Sequence, residues 1–330
     1  MRRIFACLIV VSIFYSSTAI SQNIDNDADL NNAVTTPYRP KLAEFSYNRL
    51  YEYNTYCTSN EFGNSSSEVH NDTQFKFRLG VPVLMKKSTL LGVQLKFDKH
   101  NFVVDFNDDY ELYNHIEKRN FTSMGARLIY QKSFDENKKL TLVAGAEIKS
   151  DEITVTTNTS KYYAHIGYDK RLSSGDKLGG GLMVAYTLGR PQIYPLISYE
   201  RGMGRRWTLD LDLPKKAAIR YKASERFYVT GITEVKGWRY AVHNFDLSPE
   251  SELTLRKSDL NIGVSLEHEL HDWLWVGMDM GMSKNLRYFL SKPGDGYRDA
   301  LIDLRADDTP YFKFGIYIVP PKKIYLKDRN

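Results

Sequence analysis

The feature that most constrains this chain is a period-two alternation of apolar and polar residues, recurring in blocks from Ala43 to Val319. Successive side chains on a strand point to opposite faces, so such alternation describes a strand with two different surroundings. Phe75, Phe77, Leu79 and Val81 alternate with Lys76, Arg78 and Gly80. Leu91, Val93, Leu95 and Phe97 alternate with Gly92, Gln94 and Lys96. The same pattern returns at Leu140–Ile148, Trp207–Leu213, Leu260–Leu266 and Phe312–Ile318, and no segment carries a long helical stripe.

The links between blocks are of two kinds. Lys86–Ser88, Asp135–Asn137, Ser173–Asp176, Gly202–Arg205, Ala223–Glu225 and His268–Asp272 are short and polar. Thr58–Asn71, Asn107–Asn120, Asp151–Thr159, His243–Thr254 and Ser291–Thr309 are longer. The two kinds largely alternate, with exceptions at Gly189–Pro191 and Pro214–Lys216, where both links are short. A transmembrane barrel produces this rhythm, because its hairpins emerge in turn on opposite sides of the membrane, tight on one and long on the other. Every backbone polar group is then paired between strands while one strand face meets lipid. Six short turns make twelve strands, and an opening strand near Ala43–Tyr56 with a closing one near Tyr311–Val319 makes fourteen. The expected fold is therefore all-β: an antiparallel up-and-down transmembrane β-barrel of 14 strands, or 12 if Trp207–Lys222 does not span. Trp207, Phe227, Tyr228 and Trp273 follow short turns, and Phe121, Trp238, Tyr240, Tyr288, Phe289, Tyr311 and Phe312 lie beside long links. Two interfacial aromatic belts are expected from that placement. A soluble β-sandwich is the competing architecture.

The address agrees with export. Residues 1–21 read as a signal peptide: Arg2 and Arg3, an apolar stretch from Ile4 to Tyr15, then small residues up to Ser21, with cleavage before Gln22. Cys7 leaves with it, so the mature chain keeps only Cys57 and forms no internal disulfide. Residues 22–42, rich in Asn, Asp and Thr, read as a flexible periplasmic lead-in, 43–319 as the barrel and 320–330 as a polar tail. Asp25, Asp27 and Asp29 lack the glycine and terminal Glu of a calcium loop. With 45 Lys+Arg against 40 Asp+Glu, the chain has no basic footprint for nucleic acid.

The stretch Ile193–Tyr221 carries a specific phrase: Pro195-Leu196-Ile197-Ser198-Tyr199-Glu200-Arg201, then Trp207-Thr208-Leu209-Asp210-Leu211, then Leu213-Pro214-Lys215-Lys216-Ala217-Ala218-Ile219-Arg220-Tyr221. It resembles a family of outer-membrane β-barrel proteins of unknown function found mainly in Bacteroidota. The resemblance implies the cell outer membrane of a Gram-negative bacterium and supplies no catalytic residues. One departure from barrels generally is the C-terminus, where Pro320-Pro321-Lys322-Lys323 and a polar tail follow the last strand instead of a terminal aromatic.

Chemistry is sparse. His268-Glu269-Leu270-His271 has histidines three apart in a turn, whereas the helical zinc signature needs them four apart. None of the seven histidines sits in a local serine-hydrolase signature, and Asp108, Asp109 and His115 read as solvated loop residues. No cofactor, metal or enzymatic activity is expected, with an outer-membrane hydrolase as a lesser alternative. The polar strand face offers the candidate lumen-lining residues: Lys76, Arg78, Lys96, Glu147, Lys149, His165, Glu200, Asp210, Asp212, Glu234, Glu267 and Asp279. Their mixed charge fits a water-filled, porin-like channel or transporter for a small solute. It fits equally a lumen closed by ion pairs, in a barrel that displays its loops to a partner. The expected partners are outer-membrane lipids, the barrel assembly machinery and a small solute, and the expected state is a monomer. Intact-mass measurement of the protein extracted from membranes should give a chain that begins at Gln22.

Overall fold

A computed structural model describes residues 39, 41–59, 63–105, 112, 116, 119–243 and 252–321. The expected signal peptide, most of the lead-in and the tail from residue 322 lie outside the described residues, as do Asp108, Asp109 and His115. The strands are β1 (Ala43–Leu50), β2 (Tyr53–Ser59), β3 (Gly63–Lys86), β4 (Thr89–Asp105), β5 (Phe121–Ser133), β6 (Lys138–Ser150), β7 (Ser160–Arg171) and β8 (Lys177–Thr187). They continue as β9 (Arg190–Met203), β10 (Trp207–Leu213), β11 (Lys216–Lys222), β12 (Phe227–His243), β13 (Glu252–His271), β14 (Leu274–Ser291), β15 (Ile302–Ala306) and β16 (Thr309–Ile318).

From β2 to β15 each strand pairs antiparallel with the next in sequence, and β1 pairs with β16 from Ala43↔Ile318 to Leu50↔Tyr311, which closes the ring. β1 and β2 are two lengths of one spanning strand, since both pair with β3 in continuous register across Tyr51 and Glu52. β15 and β16 are likewise one strand, laid along β2 and β1. The result is a closed, antiparallel, 14-strand barrel. Among the described residues no helix is long and apolar enough to cross a membrane. One expectation is corrected here: Thr58–Asn71 is not a long link, because β2 runs to Ser59 and β3 begins at Gly63.

The alternation sorts side chains between the two faces of the wall. Phe75, Phe77 and Leu79 on β3, Leu95 and Phe97 on β4, and Ile262 and Val264 on β13 are exposed, while Arg78, Gln94, Asp98, Asn261 and Ser265 between them are buried. Met280 and Met282 are exposed on the same outer face. Exposed apolar residues in a continuous belt, with polar residues inside, invert the arrangement of a water-soluble sandwich.

The expected second aromatic belt is not on the outside. Phe121, Trp238, Tyr240, Tyr288, Phe289 and Tyr311 are all buried, and all but Phe289 belong to one apolar cluster inside the long-link end of the barrel. The parity of the five clustered rings is inward, so proximity to the long links placed them at the right height but on the wrong face; Phe289, next to Tyr288, has the opposite parity and is covered by Tyr297. Trp207 and Trp273, near the short turns, are exposed as a belt requires.

The wall is uneven in height. β10 and β11 have seven residues each, whereas β3 has 24 and β13 has 20. Above the low wall, β6 and β12 meet directly: Ser150 bridges Ala241, and the Asp151 amide donates to the Ala241 carbonyl at 3.2 Å. Five strands separate β6 from β12 around the ring, so this contact draws the barrel in. At that level the sheet closes through β12, β13, β14, β15, β2, β3, β4, β5 and β6 only. The Leu188–Gly189 tip of the β8–β9 hairpin packs against the link after β14, with the Gly294 amide 3.1 Å from the Leu188 carbonyl. Gly189 has φ +88°, and a Cβ there would lie 2.8 Å from the Gly294 nitrogen, so a side chain at this tip is excluded twice over.

An arginine at Leu95, half exposed on the belt, should cost about 2–4 kcal/mol of folding stability in a bilayer, and an arginine at the neighbouring inward Gln94 markedly less. Urea titration of the barrel refolded in vesicles measures both.

Candidate functional site: the barrel interior

The interior is layered along the barrel axis. At the short-turn end the guanidinium of Arg39 is buried, donating to the carbonyls of Asp272 and Pro320 and lying 3.8 Å from Glu269. It also lies 5.9 Å from the ring centre of Trp275, which packs with Tyr228, Tyr317 and Val319. Two expectations change. Arg39 and Leu42, read as flexible lead-in, are fixed: the Leu42 amide donates to Ile318. Glu269, read as part of a solvated turn, is a buried acid within β13 that pairs with Arg39.

The next layer is broad and polar. Lys216 donates to Asp210 at 2.9 Å, Lys215 and Lys236 lie 3.8 and 3.4 Å from Glu234, and Lys313 lies 3.5 Å from Asp279. The Tyr317 hydroxyl donates to Glu267 at 2.7 Å. Asp212 sits opposite Lys216 in register, and Glu200 opposite Asp210 and Lys177 on either side. His165 on β7 lies across from Met183, and its ring crowds Gly167 and Gly181. Most of these groups are only half buried, so water reaches this layer.

Above it the charges close ranks. Arg78 makes a two-point pair with Asp98, and Lys96 reaches over β5 to Glu147 at 2.8 Å while lying 3.6 Å from Asp98. Lys76 faces inward beside this group, opposite Asp98 in register. Lys149 is buried with its ammonium 5.4 Å from the ring centre of Tyr240. Gly145 makes room for the Tyr163 ring, which a Cβ would meet at 2.5 Å. Further up, His100 and Asp72 are fully buried and 2.6 Å apart. Lys257 comes from β13 on the far side of the closing seam, 3.7 Å from Asp72 and 3.6 Å from Asp259, and Tyr53 donates to Asp72 at 3.0 Å. A buried charge is tolerable only when paired and hydrogen-bonded, and here Asp72 has Lys257 and the Tyr53 hydroxyl, and Asp259 has Lys257 and the Asn285 amide.

The last layer is apolar. Phe102 and Trp238 are 5.4 Å apart, Phe121 and Tyr240 5.1 Å, and Trp238 meets Tyr288 edge-on at 5.8 Å. The first two pairs join β4 and β5 to β12 across the bore, and the third joins β12 to β14 over β13. Leu112 and Ile116, from the link between β4 and β5, are buried in the same cluster. A wide, wet, charged chamber therefore ends against an apolar plug built from wall side chains and two residues of a link.

Sequence reasoning missed three groupings, the first two because they join strands remote in the chain. The first is Asp72–His100–Lys257. The second, at the β6–β12 contact, is His243: its Nδ1 lies 2.8 Å from Asp151 Oδ1 and its Nε2 3.4 Å from Glu252. The third is on the outer wall, where Glu52, Glu68 and His70 bring possible ligand atoms within 4.8 Å of one another among exposed or half-exposed side chains. An apolar groove of about 860 Å³ also runs over the outer face of β5–β9, lined by Ala126, Ala144, Ala164 and Ile193.

The family described as Domain of unknown function (DUF6268) matches residues 54–293. No curated protein matches the sequence. Similar solved structures include a Pseudomonas aeruginosa FadL homologue, at 10% identity over 91% of this chain and 95% of that one with a TM-score of 0.46. The COG4313 outer membrane channel from Pseudomonas putida F1 is similar at 10% identity over 87% and 99%, TM-score 0.42. The Pseudomonas putida toluene transporter TodX is similar at 8% identity over 90% and 95%, TM-score 0.35.

Two outcomes follow from the buried charges. Lys257→Met strips the buried Asp72 and Asp259 of their shared cation and should destabilise the barrel by about 3–5 kcal/mol, read from urea unfolding in vesicles. Asp151 lies outside the wall strands. Burial pushes its carboxyl up, but hydrogen bonds from His243 and Arg119 outweigh this and hold it below the ordinary aspartate range. A depressed folded-state value means the stabilisation is full above the unfolded value, about 3.9, and is lost as pH falls through the folded one. Replacing Asp151 with Asn should accordingly flatten the acid limb of stability against pH.

Proposed function

The chain belongs to the DUF6268 family, and we propose that it is a gated channel or transporter for a small polar solute in the outer membrane of a Gram-negative cell. The resemblance of Ile193–Tyr221 favours the Bacteroidota as that cell's group. The observation that carries the reading is the junction of a wide, charged, water-accessible chamber with an apolar plug whose parts include link residues Leu112 and Ile116. Side chains such as Leu112 and Ile116 can change rotamer without breaking the hydrogen-bonded ring, whereas the wall cannot move. The apolar outer belt supports placement in a lipid bilayer, and short turns at one end support orientation of that end to the periplasm. The lining proposed for the solute path is Lys76, Arg78, Lys96, Glu147, Lys149, His165, Glu200, Asp210, Asp212, Glu234, Glu267 and Asp279. Paired charges of both signs favour a polar solute without strong net charge, since neither cation nor anion meets an uncompensated field.

The filled upper bore supports a second reading, a closed barrel that presents its long links to a partner. Planar-bilayer recording separates the two. The wild type should open rarely, Leu112→Ser with Ile116→Ser should raise the open fraction by about tenfold or more, and Asp210→Lys should shift selectivity toward anions. Silence from inserted wild-type and plug-loosened protein alike would reject the channel and leave the closed barrel.

A further inference from the structure

At the β6–β12 contact a single imidazole stands between two carboxylates carried by different elements. His243, the last residue of β12, has Nδ1 at 2.8 Å from Asp151 Oδ1, and Nε2 at 3.4 Å from Glu252 at the start of β13. Around it the Ser150 hydroxyl lies 3.2 Å from Nδ1, and the Thr154 hydroxyl 3.0 Å from Nε2. Arg119, just before β5, takes the other oxygen of Asp151, which leaves Oδ1 aimed at the ring. Thr156 donates to Glu252 at 3.2 Å. The His243 amide also donates to the Asp151 carboxylate, at 3.1 Å. These are the titratable and charged groups that face His243 among the described residues, and the ring and Asp151 are both largely withdrawn from water.

The cluster sits on the contact that narrows the barrel. Besides the Asp151–Ala241 backbone bond, the Ser150 hydroxyl donates to the Ala241 carbonyl at 3.2 Å. This is a short seam: a one-residue bridge between strands that the ring otherwise holds five strands apart. Two or three hydrogen bonds of ordinary strength, each worth about 1 kcal/mol net, do not hold such a seam firmly. Charge-assisted bonds are roughly twice as strong.

We infer that Asp151, His243 and Glu252 form a proton-operated latch on the β6–β12 seam, closed when His243 is protonated and released when it is neutral. The chemistry follows from the ring. An imidazolium carries an N–H on both nitrogens and can donate to both carboxylates at once. A neutral ring has one N–H and donates to one carboxylate only; its other nitrogen can only accept, from the Ser150 or Thr154 hydroxyl, so a charge-assisted bond is lost and the seam is loosened. Histidine is the side chain that ordinarily changes charge between about pH 5 and pH 8, so that interval is the one to compare. Arg119 keeps Asp151 charged and oriented in both states. The latch deepens the gated-passage reading above: it assigns the gate's regulation to protons, with release on the alkaline side.

Hydrogen exchange of the mature, full-length protein in vesicles tests the latch without relying on solute flow. Amide protection at Asp151 and His243, corrected for intrinsic exchange rates, is compared at about pH 5.5 and about pH 8.5. The wild type should be protected about tenfold more at the lower pH, while the β11–β12 turn at Ala223–Arg226 shows no such difference. His243→Gln, which keeps a hydrogen-bonding amide but not the charge, should abolish the pH dependence. Glu252→Gln, which leaves the Asp151 contact in place, should reduce it to about threefold or less. Equal protection at both pH values in the wild type overturns the latch, and so does a full pH response in His243→Gln. Bilayer current at the same two pH values keeps the two readings apart. Switching protection with no current at either pH supports the latch and rejects passage. Current with pH-independent protection rejects the latch and leaves passage standing.

Discussion

The hydrogen-bonded seam between β1 and β16 is the constraint on which the rest of the molecule depends. In hydrocarbon no water can satisfy an open sheet edge, so the first and last strands must find each other. Eight consecutive residue pairs, Ala43↔Ile318 to Leu50↔Tyr311, do this. β2 and β15 extend the same seam beyond it, past the interruption at Tyr51 and Glu52. Once the ring is closed every strand has a fixed inside and outside, and the alternation of the sequence becomes a division between lipid and interior.

That division places polar and charged side chains where solvation is poor, and the interior answers in two ways. Toward the short turns the bore is wide enough for water, and half-buried pairs such as Lys216–Asp210 suffice. Toward the long links the ring is drawn in at Ser150–Ala241, and the same kinds of charge become fully buried. There they require networks: Asp72 is met by His100, Lys257 and Tyr53 together. Beyond that level the inward positions turn aromatic and aliphatic, because a narrowed bore leaves no room for the water that charges would need.

Strand count, the antiparallel order and the parity of most strands were legible in the chain. They rest on local rules: a pleat that repeats every two residues, and turns whose length reports which side they lie on. The aromatics show where such rules stop. Trp238 and Tyr288 stand at the ends of strands beside long links, as interfacial residues would, yet they lie inside. Height along the strand does not distinguish a ring that anchors in headgroups from one that fills a bore; parity does, as Trp238 shares its face with Glu234 and Lys236. The short links at Gly189–Pro191 and Pro214–Lys216 were likewise visible, but their consequence, a low wall at β10 and β11, was not.

The sequence by itself determined a two-faced wall and an even number of strands, because these depend on periodicity and turn chemistry. Only the tertiary structure decided which charges meet, that β6 reaches β12, and that His243 falls between Asp151 and Glu252. The β6–β12 contacts join residues 91 and 92 positions apart, across a bore whose shape depends on how far each strand rises. Pairing across a bore is set by ring geometry, and no repeat in the chain encodes it.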